Sequence, residues 1–220
     1  RQMCIRDSSI TNPILYITKQ IRKIYLNSSI YNTKISKVFE GGFEYIPHLK
    51  IFDCIVKVKD RKNRIEDYDI ESIWKNQNLS KKDLKKLHSF FWLFTIDLKS
   101  SKKITRSVIS NWTNLNQNYS FKSWELDTLS KRVISWIANS NNFYHEGDES
   151  FKLNFTKIIK KQLNHLTNEI ENSEFVNDKM IGCSAIIISG IAYKNFRFLD
   201  YGLNLLKKII NNSFDLSLIH

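Results

Sequence analysis

The chain has 220 residues, 42% of them hydrophobic and 13% aromatic, with only two prolines and six glycines. That supports a buried core in one domain or one and a half, and excludes a disordered or linker-rich chain. A formal net charge of +12 favours anionic partners (nucleic acid, membrane headgroups or acidic polysaccharide), although Lys, Asn and Ile are abundant throughout, as an AT-rich coding sequence gives regardless of function.

Cys4, Cys54 and Cys183 have no metal-ligand spacing and do not form a disulfide framework, so no metal and no cofactor is expected. No signal peptide is visible, and the longest apolar run, Met180 to Tyr193, is too short to span a bilayer and reads as a buried helix. Residues 1–8 and 215–220 resemble translated adapter sequence at the edges of metagenomic gene calls and are set aside as non-native. This leaves 9–79 as an amino-terminal helix with short strands and a connector, and 80–214 as a helical domain.

Pro13 to Asn27 is the first helix. Ile14, Ile17, Ile21, Ile24 and Tyr25 form one stripe, with Lys19, Arg22 and Lys23 expected to face away. Gly41 and Gly42 between short apolar runs suggest a turn or bulge between strands, and Ile51 to Val58 reads as a strand. Residues 64–78 form a polar connector anchored by Tyr68, Ile70, Ile73 and Trp74. From Ser80 the pattern is helical. Ser80 and Asp83 mark a start, and Leu84, Leu87, Phe91, Phe94 and Leu98 carry the repeat. Further helices are predicted over 102–115, 123–140, from Gly147-Asp148 through Ile170, over 177–193 and over 195–211. The 177–193 helix is apolar nearly all round and is expected to be buried on most sides. Short polar turns make antiparallel hairpins, the pattern of an α/α toroid or an α-solenoid, and no fixed-length repeat supports the solenoid.

The stretch Leu87 to Ile137 holds four of the five tryptophans. Trp124, Arg132 and Trp136 recur at helical spacing, so rings and a guanidinium can share a face. Aromatic faces stack on sugar rings and arginine binds carboxylate in a bidentate fork. The same residues also suit a packed core, with Arg132 capping carbonyls or pairing with Glu125 or Asp127. His88 and Trp92 are further substrate-binding candidates, although a lone histidine beside aromatics is more often structural. Tyr144-His145-Glu146 precedes a helix start and reads as structural, and His165 reads as exposed. There is no phosphate-cradling glycine loop, no His-Glu-x-x-His zinc motif and no Gly-x-Ser-x-Gly elbow.

Leu87-His88-Ser89-Phe90-Phe91-Trp92-Leu93, Asn111-Trp112, Trp124, Arg132-Val133-Ile134-Ser135-Trp136, the long helix from Phe151 and the small-residue helix Met180 to Tyr193 follow one another in an order that resembles the heparinase II/III family of polysaccharide lyases. Gly42-Phe43-Glu44-Tyr45 resembles the family's short pre-toroid strand, and Phe91 departs from it where the family usually has Asp. The resemblance implies a mainly α fold: an incomplete (α/α) toroid of antiparallel hairpins with a short β or irregular segment before it. It implies β-elimination on an acidic, uronate-containing glycan, and slightly favours a periplasmic or secreted location. The family's catalytic cluster lies beyond the position equivalent to Ile210, so no catalytic residue is assigned in this chain, and the fragment itself is expected to be inactive. Acidic polysaccharide is the expected partner, with no membrane and no nucleic acid. A non-enzymatic helical scaffold and a basic nucleic-acid-binding protein are the alternatives.

Overall fold

The computed structural model describes residues 13–39, 41–43, 74, 80–95 and 102–217. Eight α-helices lie among them: α1 Pro13–Leu26, α2 Ser29–Ile35, α3 Lys81–His88, α4 Lys102–Leu115, α5 Leu126–Ala138, α6 Glu149–Glu169, α7 Val176–Ala192 and α8 Phe196–Ser217. Local chemistry explains several starts. The Ser80 hydroxyl accepts from Asp83 N and donates to the Asp83 carboxylate, opening α3. Asp148 accepts from Phe151 N at 2.7 Å, opening α6.

The core forms where α5, α6 and α7 meet. Leu129, Val133, Trp136 and Ile137 of α5 are fully buried, as are Ile159, Leu163 and Leu166 of α6. α7 packs most extensively on α5 and on α8. Small residues allow the close approach: a Cβ on Gly190 would lie 2.7 Å from the Leu199 backbone nitrogen, and one on Gly202 would lie 2.7 Å from Ile187. No helix among the described residues is long and apolar enough to cross a membrane.

The expected fold, an incomplete (α/α) toroid preceded by a short β segment, is corrected to a mainly helical fold. No β-strand is present among the described residues. Residues 37–39 and 41–43 carry no ladder, and side chains take the backbone carbonyls that a strand would offer. Lys160 Nζ donates to Phe39 O and Gly41 O, both at 2.8 Å, and Asn164 Nδ2 donates to Ile35 O and Lys37 O. The strand expected over Ile51 to Val58 lies outside the described residues. The succession of hairpins also breaks down, because the main partner of α5 is α7, two helices on, rather than α6.

Three local readings change as well. The helix from Ser80 stops at His88 instead of running through Phe94, because Phe90 adopts φ +54° and sends its ring into the core. There it stacks on Trp74 and Trp92 and meets Trp112 and Trp136 edge-on. The left-handed backbone costs roughly 1–3 kcal/mol, offset by complete burial of a large ring. The helix α2 is additional to the predicted elements and is anchored by the fully buried Tyr31 and Ile35. The third change concerns α1, which is turned over: Ile17, Ile21 and Ile24 are 55–73% exposed, while Lys19, Arg22 and Lys23 reach the body of the protein.

Candidate functional site

Arg132 is the most constrained polar side chain. It is fully buried on α5, with its guanidinium 4.1 Å from the Trp112 ring centroid. Nη1 donates to His88 O at 2.7 Å and Ser123 O at 2.8 Å, and Nε donates to Gln162 Oε1 at 3.0 Å. His88 ends α3, so Arg132 satisfies an orphan carbonyl at the negative end of that helix. Burial pushes the Arg132 pKa well below its ordinary value, and Nη2 has no partner among the described residues.

The other predicted site residues cluster around it as packing. Trp124 and Trp136 are fully buried, and neither indole N–H has a partner among the described residues. Trp136 lies edge-on to Trp112 at 5.3 Å. His88 Nδ1 accepts from the Trp112 indole at 2.9 Å, and burial followed by the Arg132 charge brings its pKa down to about 4. Trp92 is half-buried and donates to Leu87 O at 3.0 Å. The structure therefore brings Arg132, His88, Trp92 and Trp136 together, but as a core rather than as the wall of a groove. A sugar ring has no access to Trp136, and Trp124, though it backs the wall of a recess, exposes none of its surface. His165, expected at the surface, is also buried: it bonds the Tyr31 hydroxyl at 2.8 Å, and desolvation holds its pKa at about 3. Tyr144, His145 and Glu146 form no acid/base set, since Glu146 pairs with Lys102 and Arg106 while the Tyr144 ring packs on Phe43 and Phe155.

Two recesses remain as sites. The larger, about 630 Å³, lies between α1, α3, α5 and α7, with Trp124, Tyr119 and His165 in its wall. Its charges are mutually compensated. Lys19 meets Glu174 at 2.7 Å, Arg22 pairs with Glu169, and Lys85 pairs with Glu125. Burial and the neighbouring Asp127 raise the pKa of Asp178, at the same cavity. An anionic ligand would have to displace carboxylates already in place.

The smaller recess is a groove between α4 and α6, made of two adjoining pockets of about 280 and 230 Å³ that share Thr113, Asn114 and Asn154. The exposed amides Asn114, Gln117, Asn118 and Asn154 line it, together with Lys157 and Lys161. Lys161 is 8% exposed, and its ammonium bonds Gln117 O at 2.7 Å and Asn118 Oδ1 at 3.2 Å. Among the described residues no carboxylate pairs with Lys157 or Lys161. Burial, then repulsion from Lys157, lowers the Lys161 pKa. The only carboxylate on the groove wall among the described residues, Asp148, is occupied as the N-cap of α6. The groove thus presents uncompensated positive charge beside amides and hydroxyls, which suits an anionic ligand rich in hydroxyl groups.

Comparison with protein-family models, curated proteins and solved structures gives no match. Among the described residues no group of three or more His, Cys, Asp or Glu could hold a metal ion.

The groove residues are absent from the sequence-based set, yet a signal for them exists. Asn114, Gln117 and Asn118 follow i, i+3, i+4, and Asn154, Lys157 and Lys161 follow i, i+3, i+7. Each set shares one side of its helix or helix end. Attention to the apolar stripe of α6 obscures the polar one opposite.

Proposed function

We propose that this chain is the acidic-glycan-binding helical part of a polysaccharide lyase. The observation that carries the binding half of this reading is the α4–α6 groove, where Lys157 and Lys161 lie unpaired with any described carboxylate and are flanked by four amide side chains. Ammonium groups take the uronate carboxylate, and amides bridge neighbouring hydroxyls. Within elimination chemistry, such charge neutralisation is what makes the proton next to the carboxylate acidic. Among the described residues no tyrosine or histidine lines the groove. The base that removes the proton and the acid that serves the leaving oxygen are assigned to groups elsewhere. The elimination half of the reading rests on the sequence resemblance alone.

Titration of the full chain with a uronate oligosaccharide and with its neutral counterpart tests the binding half. The acidic sugar is expected to bind and the neutral one to bind weakly or not at all. Lys157 is exposed and makes no structural bond among those described, so Lys157→Glu should fold normally and weaken binding about tenfold, as one reversed contact charge implies. Equal affinity for both sugars, or no effect of Lys157→Glu, overturns the reading. Tight binding to DNA that collapses with salt would favour the nucleic-acid alternative. Release of unsaturated uronate tests the elimination half.

A further inference from the structure

The helix α1 is amphipathic but lies wrong way up, and the large cavity explains why. Lys19, Arg22 and Lys23 stay exposed but reach toward the body, and each engages a different part of it. Lys19 pairs with Glu174 after α6, Arg22 pairs with Glu169 at the end of α6, and Lys23 lies 5.5 Å from the Phe121 ring. Lys19, Arg22 and the buried Leu26 all line the cavity, so α1 forms part of its wall. The other face gives no hold, because Ile17, Ile21 and Ile24 are exposed. By contrast, the next element is fixed: Tyr31 on α2 is fully buried and bonds His165, and Asn32 accepts from Tyr119 N.

We propose that α1 is a strap, hinged at Asn27-Ser28 and latched by ion pairs beside the cavity, and that its release removes that wall of the cavity. The latch is electrostatic, so screening weakens it while leaving the apolar core intact. A helix of 14 residues has little stability on its own, so release also frays it.

Hydrogen exchange on the full chain reads this directly, comparing amides of α1 with those of α5. In the native protein at low salt, α1 is expected to be protected. Two pairs of ordinary surface strength hold closure by roughly a factor of ten. About 1 M salt, or the double variant Lys19→Glu and Arg22→Glu, should therefore speed α1 exchange by roughly that factor without changing α5. Adding Glu169→Lys and Glu174→Lys to the double variant should restore protection of α1. Exchange in α1 that responds to neither salt nor charge reversal overturns the proposal. So does exchange that rises in α1 and α5 together, because α1 would then be an integral part of the cooperative core.

Discussion

A buried guanidinium with no carboxylate beside it is costly unless its donors are used; Arg132 gives Nη1 to carbonyls from two separate chain segments and Nε to Gln162, while Nη2 has no partner among the described residues. Its role is to join the end of α3 to the turn before α5. Arg132→Met fills most of the volume but strands His88 O and Ser123 O, so a loss of at least about 2 kcal/mol is expected in urea unfolding. Two neutral histidines add a pH dependence. The pKa of His165 is held at about 3 and that of His88 at about 4, both below the ordinary value for histidine in an unfolded chain. The unfolded chain thus binds more protons as pH falls below about 6.5, and stability declines from there down to the folded values, by up to about 1.4 kcal/mol per pH unit for each ring. Urea midpoints at pH 7 and pH 5 check this, and His165→Gln should shallow the slope. At this scale the Arg132–Trp136 spacing was legible from sequence, but whether the face it defines meets water or core was not. The ring of aromatic residues that encloses Arg132 comes from Phe90, Trp112 and Trp136, which are 46 residues apart at the extremes, and local periodicity carries no information about such distant neighbours.

Among the elements, periodicity and caps located the helices well. α4 runs over the predicted residues, and α6 begins at its predicted cap. Errors arose where tertiary contacts override local preference. Phe90 breaks α3 because its ring is worth more in the core than in a continued helix. Residues 37–39 and 41–43 are not strand because Lys160 and Asn164 claim the carbonyls of Lys37, Phe39 and Gly41. α1 has the stripe that periodicity predicts, but its ion pairs turn that stripe outward. The small residues of α7 permit close approach to α8, and one of them gives a sharp test. Gly190→Ala gains helix propensity but sets a methyl against the Leu199 backbone, which cannot rotate away. A net loss of about 1–3 kcal/mol in thermal or urea unfolding is expected. A stabilised Gly190→Ala protein would mean that α7 and α8 lie further apart than described.

Across the whole molecule, net charge says less than its distribution. A charge of +12 suggests a basic surface everywhere, yet the larger of the two described recesses is compensated by its own carboxylates, and lysines without a described carboxylate partner lie in the smaller groove. The sequence resemblance implies acidic glycan, and two of the tryptophans offered as its contacts, Trp124 and Trp136, are buried. Under the proposed reading, glycan contact falls to Asn114 of α4, to Gln117 and Asn118 just after it, and to Asn154, Lys157 and Lys161 of α6. The most direct test of that placement is hydrogen exchange of the full chain with and without a saturating uronate oligosaccharide. Protection is predicted in the segments 110–118 and 150–161, which form the groove. Protection at the α1–α5–α7 cavity instead, or no protection anywhere, would contradict it.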